Sequence, residues 1–169
     1  MTGQIIVRPA EGPSDDDAIW AILKPIVEGG REFCAPPDGG RDGAFAYFAP
    51  PEAQNFVAEL NGEIVGASYL KPNQGGGGSH VCNAGYATAP AARGKGVARA
   101  LLAHSLATAR SAGYRAMQYN FVVATNTRAI ETWVRAGFEI VGTLEDAFLH
   151  PEAGYVNAHV MMKDLTRPD

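Results

Sequence analysis

Two glycines and two cations stand directly before a helix-like run of this sequence. Residues 92–98 read "ARGKGVA", and Ala98, Leu102, Leu106 and Ala109 recur at three- and four-residue spacing, which predicts an amphipathic helix. The first N–H groups of a helix have no partner within it and lie at the positive end of its dipole. The stretch therefore predicts an anion-binding site.

The residue types at this helix start suit the oxygens of a pyrophosphate. Gly94 and Gly96 have no Cβ to hold a ligand away from the backbone, and Arg93, Lys95 and Arg99 add positive charge. A purely structural turn with solvated cations is the alternative. A dinucleotide-binding turn is disfavoured because the G-x-G-x-x-G spacing is absent, and no G-K-[ST] of a Walker motif occurs.

The elements before this site predict an antiparallel half-sheet. Strand patterns cover residues 4–10, 55–60, 63–70 and 80–88. Asn61-Gly62 suits a two-residue hairpin turn. The four glycines 75–78 precede a strand rather than a helix, which favours a hairpin tip over a phosphate loop. Gly85 predicts a bulge in the fourth strand.

The first helix and the segment after it are less regular. Ser14 is the predicted N-cap of this helix, and Pro25 should end or kink it. Residues 29–53 are rich in glycine and proline, and we expect a loop with one short helix there.

The second half of the chain alternates helices and strands. Gly113 ends the helix after the glycine loop, Asn126 caps another that ends at Gly137, and strands are predicted over 114–125, 138–144 and 154–165. Residues 80–123 are long enough for a right-handed parallel crossover. The prediction is an α/β (α+β) fold with a mixed central sheet of about seven strands. Its first half is antiparallel, a parallel pair lies at its centre, and about four helices flank it.

Composition limits the function classes. With 169 residues and 46% hydrophobic content, we expect one domain over residues 1–169. The net charge of −4 without a polybasic block argues against a nucleic-acid partner. Two cysteines are too few for a disulfide framework or a zinc site, so no metal is expected. No signal pattern or 18-residue apolar run occurs, which predicts a cytoplasmic protein without a membrane partner.

The loop residues Arg93, Gly96 and Ala98 match [RQ]-x-x-G-x-[GA], so the sequence resembles the GCN5-related N-acetyltransferases (GNAT family). Residues 126–142, "NTRAIETWVRAGFEIVG", are similar to the second signature of that family, N-x-x-A followed by an aromatic residue and G-F. The resemblance covers nearly the whole chain. It implies a single N-acetyltransferase domain that uses acetyl-CoA as co-substrate.

The resemblance also implies a set of cofactor contacts. Main-chain amides of the loop would hold the pyrophosphate of acetyl-CoA. Two central strands would splay apart around the pantetheine, and Asn126 would reach the cofactor while also capping its helix. The implied residues are Arg93, Gly94, Lys95, Gly96, Val97 and Ala98 in the loop, Tyr86, Ala87 and Thr88 in the strand, and Asn126.

One position departs from the family pattern. Where the family often has a tyrosine as general acid, this sequence has Trp133, whose indole cannot serve that role. A thiol of pKa about 8.5 can leave as a thiolate without much proton assistance, so we interpret Trp133 as a packing wall. "HVCNAGY" and "YNFVVATN" followed by a tryptophan resemble a subgroup that includes acetyltransferases of azetidine-2-carboxylate and similar proline analogues.

Asn83 and Asn120 are the predicted acceptor-orienting residues. Each asparagine is poorly suited to the strand interior in which it lies, so it should either bind the acceptor or satisfy backbone groups freed where the strands part. The predicted acceptor is a small, amino-acid-like amine. An α-amine of pKa about 8 is roughly one-tenth neutral at pH 7, whereas lysine, near 10.4, needs a stronger base.

The predicted reaction is direct attack by the amine, with no covalent enzyme intermediate. Cys82 lacks an identifiable His–acid partner and is interpreted as an inert strand thiol. His80 and His150 are the histidines that could border the acceptor pocket. The alternatives are a non-catalytic acyl-CoA-sensing domain and a protein or peptide N-acetyltransferase, and the sequence leaves a homodimer open.

Overall fold

One mixed sheet organises the chain, and helices cover both of its faces. The computed structural model describes residues 3–168. The elements of this part of the chain are β1 (Ile5–Pro9), α1 (Asp16–Gly29), α2 (Gly40–Phe48), β2 (Gln54–Leu60), β3 (Glu63–Pro72), β4 (Val81–Thr88), α3 (Val97–Ser111), β5 (Ala116–Val123), α4 (Thr127–Arg135), β6 (Glu139–His150) and β7 (Gly154–Asp164).

The strand order is β1-β2-β3-β4-β5-β7-β6. The pair β4–β5 is parallel and every other neighbouring pair is antiparallel. The predicted fold class is confirmed, including the parallel pair at the centre of the sheet. None of the described helices is long and apolar enough to cross a membrane.

Alternating residues of the strands build two cores on opposite faces of the sheet. On one face, α3 packs Leu102 and Leu106 against strand residues such as Met117. On the other face, α1 and α2 pack Leu23 and Phe48 against the sheet. The helix face predicted from the spacing of the apolar residues is therefore the buried face of α3.

The start and interior of α1 differ from the prediction. Asp15 is the N-cap, and the Ser14 hydroxyl instead donates to the Glu11 carbonyl at 2.7 Å. Asp15 is held there because its carboxylate accepts two hydrogen bonds from Arg8. Pro25 lies inside the helix, which continues to Gly29. Pro25 is on the exposed side, while buried apolar residues on the opposite side hold both halves of the helix on the sheet.

Turns and glycines are mostly as predicted. Asn61 and Gly62 have φ of 55° and 81°, which is the backbone of the predicted two-residue turn. The glycines 75–78 form the tip of the β3–β4 hairpin. Gly85 does not mark a bulge, because the β3–β4 register is continuous there. A Cβ on Gly85 would lie 2.3 Å from Cε1 of Tyr69, so the missing side chain makes room for that ring.

Candidate active site

The two central strands separate soon after they begin to pair. β4 and β5 are paired only at Val81–Ala116 and Cys82–Met117. Beyond Cys82, no strand among the described residues pairs with the edge of β4 that faces β5, so the main-chain polar groups of this edge are free to bind a ligand. A cleft of about 1150 Å³ lies along this opening. The splayed strand pair expected from the resemblance is present.

One end of the cleft is formed by the 93–98 loop and the starts of α3 and α4, and is called the loop end below. Gly94 and Gly96 have φ of 81° and 87°, which is left-handed backbone that favours glycine. Gly96 is the N-cap of α3 and provides no side-chain cap. The first-turn N–H groups of α3 therefore keep their hydrogen-bonding capacity for a ligand.

The charges at the loop end suit a polyphosphate. Three arginines line this part of the cleft, namely Arg93, Arg99 and Arg128, and Arg135 lines the cleft from the last residue of α4. Arg93 lies 3.8 Å from a carboxylate oxygen of Glu32. Guanidinium groups bind phosphate oxygens with paired N–H donors. Together with the glycines and the free helix start, these residues fit the pyrophosphate of acetyl-CoA.

The predicted cofactor residues lie together, with one exception. Tyr86, Ala87 and Thr88 of β4 line the cleft beside the loop. Asn126 lines it from α4, and its side chain accepts a hydrogen bond from the Ala129 N–H at 3.4 Å. The cap role and the cleft position of Asn126 are thus compatible. Lys95 is the exception, because it is exposed and does not line the cleft.

An aromatic wall closes the cleft on the side of α4. The ring of Trp133 lies 5.0 Å from that of Tyr86 and 5.3 Å from that of Tyr119. The two tyrosine hydroxyls are 3.0 Å apart. Burial raises the pKa of Tyr86 to about 12 and raises that of Tyr119 well above its usual value. Both phenols are therefore protonated at neutral pH. Trp133 packs against both tyrosine rings as part of this wall.

The opposite end of the cleft, called the asparagine end below, contains Asn83 and Asn120. The buried Asn83 side chain accepts a hydrogen bond from the Tyr69 hydroxyl at 3.0 Å and donates to the Gln118 carbonyl at 2.9 Å. It therefore bridges β4 and β5 at the point where they part. Asn120 is exposed, accepts from the Gln118 side chain at 3.0 Å and donates to Asn73 at 2.6 Å.

The thiol considered above is poorly suited to nucleophilic catalysis. Cys82 is fully buried, and its Sγ lies 3.4 Å from the Ala116 carbonyl. Burial raises the pKa of the Cys82 thiol to about 12. Because the thiolate is the nucleophilic form, Cys82 is almost entirely unreactive near neutral pH.

The histidines do not contribute to the cleft, although the sequence suggested His80 and His150 at its border. All four lie within the described residues, and none of them lines the cleft. His80 is exposed in the turn before β4. Nδ1 of His150 accepts hydrogen bonds from the N–H groups of Glu152 and Ala153, so His150 stabilises the β6–β7 turn.

Sequence reasoning missed much of the asparagine end. The missed residues share a position on the face covered by α1 and α2: Glu32, Phe33, Tyr47, Glu52, Tyr69 and Lys71. Most of them come from the irregular 29–53 segment or the turn into β2. These residues carry no motif, and only the folded chain brings them next to Asn83.

Comparison with known proteins identifies the family. Residues 18–138 match the model of the acetyltransferase (GNAT) family. A solved GCN5-related N-acetyltransferase from Kribbella flavida is 37% identical, with 95% of this chain and 97% of that chain covered at a TM-score of 0.88. The chain therefore belongs to the GNAT family of acetyltransferases.

Two further proteins are similar to this chain. The N-acetyltransferase aca1 of Schizosaccharomyces pombe is 39% identical over 111 residues, which are 65% of this chain and 53% of the relative. This chain thus spans about half the length of that curated relative. The fold is also that of yncA, a putative acetyltransferase from Salmonella typhimurium solved with its cofactor acetyl-CoA (19% identity, 98% and 96% coverage, TM-score 0.83).

Proposed function

We propose that this chain transfers the acetyl group of acetyl-CoA to the amine of a small, amino-acid-like acceptor. The observation that carries the proposal is the separation of β4 from β5 directly beside a glycine loop at a helix start. An acyl carrier with a phosphorylated end and a narrow arm fits this arrangement. Family membership and the acetyl-CoA-bound relative support it.

Different residues along the cleft bind different parts of acetyl-CoA. The N–H groups of Gly94, Gly96 and the first turn of α3, together with the arginines of the loop end, bind the phosphates, whereas those of Arg93 and Lys95 donate to the Pro90 and Ala92 carbonyls. Main-chain groups of β4 around Tyr86, Ala87 and Thr88 align the pantetheine and donate a hydrogen bond to the acetyl carbonyl oxygen. When bound, acetyl-CoA supplies an acetyl group activated as a thioester.

The acceptor amine attacks directly in this proposal. The high pKa of Cys82 argues against a covalent enzyme intermediate. Trp133 donates no proton, and the CoA thiol, with a pKa of about 8.5, leaves as its thiolate. The C–S bond of the thioester breaks as the C–N bond forms, and the proton that the nitrogen loses on becoming an amide passes to water. The asparagine end orients the acceptor so that its neutral nitrogen faces the thioester.

The finer assignments are also part of this proposal. We place the chain with the acetyltransferases of proline analogues, on the "HVCNAGY" and "YNFVVATN" segments that form the two splayed strands. A single domain over residues 1–169 and a cytoplasmic location are consistent with one continuous sheet and two free cysteines. A homodimer is supported by the exposed apolar residues Ile140, Val141 and Leu144 on the edge strand β6.

The test is release of free CoA thiol from acetyl-CoA across a panel of acceptors. The panel contains proline analogues, other amino acids, simple amines and a peptide with a free N-terminus. We expect turnover that depends on the acceptor and is fastest with small amino-acid-like amines. Tight CoA binding without acceptor-dependent thiol release would instead indicate a sensing domain, and release only with the peptide would overturn the small-molecule acceptor.

A further inference from the structure

The charges that line the cleft are divided between its two ends. Arg93, Arg99 and Arg128 lie on the 93–98 loop and in the first turns of α3 and α4, which form the loop end, and Arg135 lines the cleft from the last residue of α4. Glu32 lies 3.8 Å from Arg93 and so belongs to the boundary between the two ends. At the asparagine end, among the residues that the structure describes, the charged pair that lines the cleft is Lys71 and Glu52.

Lys71 is held close to the point where the central strands part. In the β3–β4 register it lies directly opposite Asn83, and directly opposed residues project from the same face of a sheet. Asn83 in turn bridges to β5 through the Gln118 carbonyl at 2.9 Å. Tyr69 lies on the same face as Lys71 and bonds to Asn83. Lys71 is thus next to the groups that border the opening.

The ammonium group of Lys71 is only weakly partnered within the chain. Its side chain is 26% exposed, and Nζ lies 3.5 Å from an oxygen of Glu52, whose own side chain is 55% exposed. Charge-assisted N–H···O bonds are ordinarily about 2.7–2.9 Å long. An ammonium has three donors, so a partly desolvated Lys71 can bind a second anionic group at a shorter distance than it binds Glu52.

We propose that Lys71 binds the carboxylate of an α-amino acid acceptor, and that it sets the preference of the enzyme for acceptors that carry this group. The inference rests on the proposed acetyl transfer and names the residue that selects its acceptor. In an α-amino acid the nitrogen is two bonds from the carboxyl carbon. Anchoring the carboxylate at Lys71 therefore places the nitrogen beside Asn83 and Asn120, at the opening of β4 and β5.

A carboxylate suits this position better than a more highly charged anion. Lys71 is a single point charge, and Glu52 beside it repels additional negative charge. The binding of the acceptor replaces the long contact to Glu52 by a short ion pair. We therefore expect Glu52→Gln, which removes the competing carboxylate, to leave the binding of the amino acid unchanged or to strengthen it.

The experiment compares each amino acid with its own carboxamide, which keeps the shape but removes the negative charge. Because amidation also lowers the pKa of the amine, kcat/KM is calculated for each acceptor on the concentration of its neutral amine. Acceptor kinetics are measured by thiol release for the wild type, Lys71→Met, Lys71→Arg and Lys24→Met. Lys24 is an exposed lysine of α1 that does not line the cleft, so Lys24→Met is the matched control. Calorimetry of the amino acid and its amide with the CoA-bound protein gives a second readout that does not require turnover.

The wild type should prefer the acid over the amide in kcat/KM by about 10–100-fold, the scale of an ion-paired hydrogen bond. Lys71→Met should lose this preference through KM, Lys71→Arg should restore part of it, and Lys24→Met should keep it. Equal use of acid and amide by the wild type, or equal loss for both in Lys71→Met, would overturn the role of Lys71. Selective binding of the acid that depends on Lys71 but is not followed by thiol release would support the anchor and contradict the proposed catalysis.

Discussion

A negative charge at the second residue of α3 should strongly weaken CoA binding without unfolding the chain. Ala98 lines the cleft and has helical backbone. Gly96 is a less suitable position for this test, because its φ of 87° makes any side chain strained. Ala98→Glu instead places an acidic residue in the first helical turn, where it interacts favourably with the helix dipole. Helix stability and phosphate binding should therefore change in opposite directions.

The size of the effect follows from the charge introduced. Two like unit charges about 5 Å apart, at an effective dielectric constant of about 20, repel by roughly 3 kcal/mol. This corresponds to a loss of CoA affinity on the order of 100-fold. The helix start itself should gain about 0.3–1 kcal/mol, so the melting temperature should not fall.

The assay is calorimetric titration of CoA at two salt concentrations, together with thermal melts. Ala103→Glu is the matched control, because Ala103 is an exposed residue of the same helix that does not line the cleft. It should bind CoA as the wild type does. The salt dependence of CoA binding should persist in the control. Unchanged CoA affinity in a folded Ala98→Glu variant would refute the assignment of the phosphate site.

Three further predictions concern the scaffold, the aromatic wall and the asparagines. Asp15→Asn should lower the free energy of unfolding by about 1.5–3 kcal/mol, because Asp15 is buried and its carboxylate is paired with Arg8. The Arg8 guanidinium holds the pKa of Asp15 below its usual range, so wild-type stability should fall as the pH drops below about 4. Chemical denaturation of the wild type and of Asp15→Asn at several pH values measures both effects. If the free energy of unfolding of Asp15→Asn fell as steeply below pH 4 as that of the wild type, the role of Asp15 would be contradicted. Trp133→Phe should reduce turnover less than about tenfold, against the 10²–10⁴ typical of a lost proton donor; a larger drop with normal CoA affinity would show a role beyond packing. Asn83→Ala and Asn120→Ala should each lower acceptor kcat/KM by about 10–100-fold with CoA affinity retained, and Asn83→Ala should also lower the melting temperature, since Asn83 bridges two strands. Unaltered acceptor kinetics would assign both residues to the scaffold.

Features that depend on neighbouring residues were predictable from the sequence. The Asn61-Gly62 turn, the helix that begins after Gly96 and the Asn126 cap each follow from the backbone preferences of a few consecutive residues. The loop end of the cleft was predictable for the same reason, because the consecutive residues of the 93–98 loop and the start of α3 form most of it. Strand–helix–strand spacing was also enough to predict the parallel pair β4–β5.

Features that depend on distant residues were not predictable. Gly85 looked like a bulge because nothing nearby shows that Tyr69 needs the space. Pro25 is tolerated because α1 exposes it to solvent and buries its opposite face. The N-cap moved from Ser14 to Asp15 because Arg8, on a separate strand, binds the Asp15 carboxylate.

The asparagine end of the cleft depends most clearly on residues that are distant from one another in the sequence. Its walls come from the segment after α1, from α2, and from strands β3, β4 and β5. Lys71 sits in an ordinary strand pattern, and its role next to Asn83 becomes visible only through the β3–β4 register. No periodicity in the sequence encodes such a juxtaposition.

A crystal structure of the protein with acetyl-CoA tests the proposed cofactor site most directly. We expect the pyrophosphate on the N–H groups of Gly94, Gly96 and the first turn of α3, and the pantetheine in the opening beyond Cys82–Met117. We also expect the acetyl carbonyl oxygen within hydrogen-bond distance of a main-chain N–H of β4 near Tyr86, Ala87 or Thr88. A pyrophosphate bound away from the 93–98 loop, or a pantetheine outside the gap between β4 and β5, would contradict this assignment of the acetyl-CoA site.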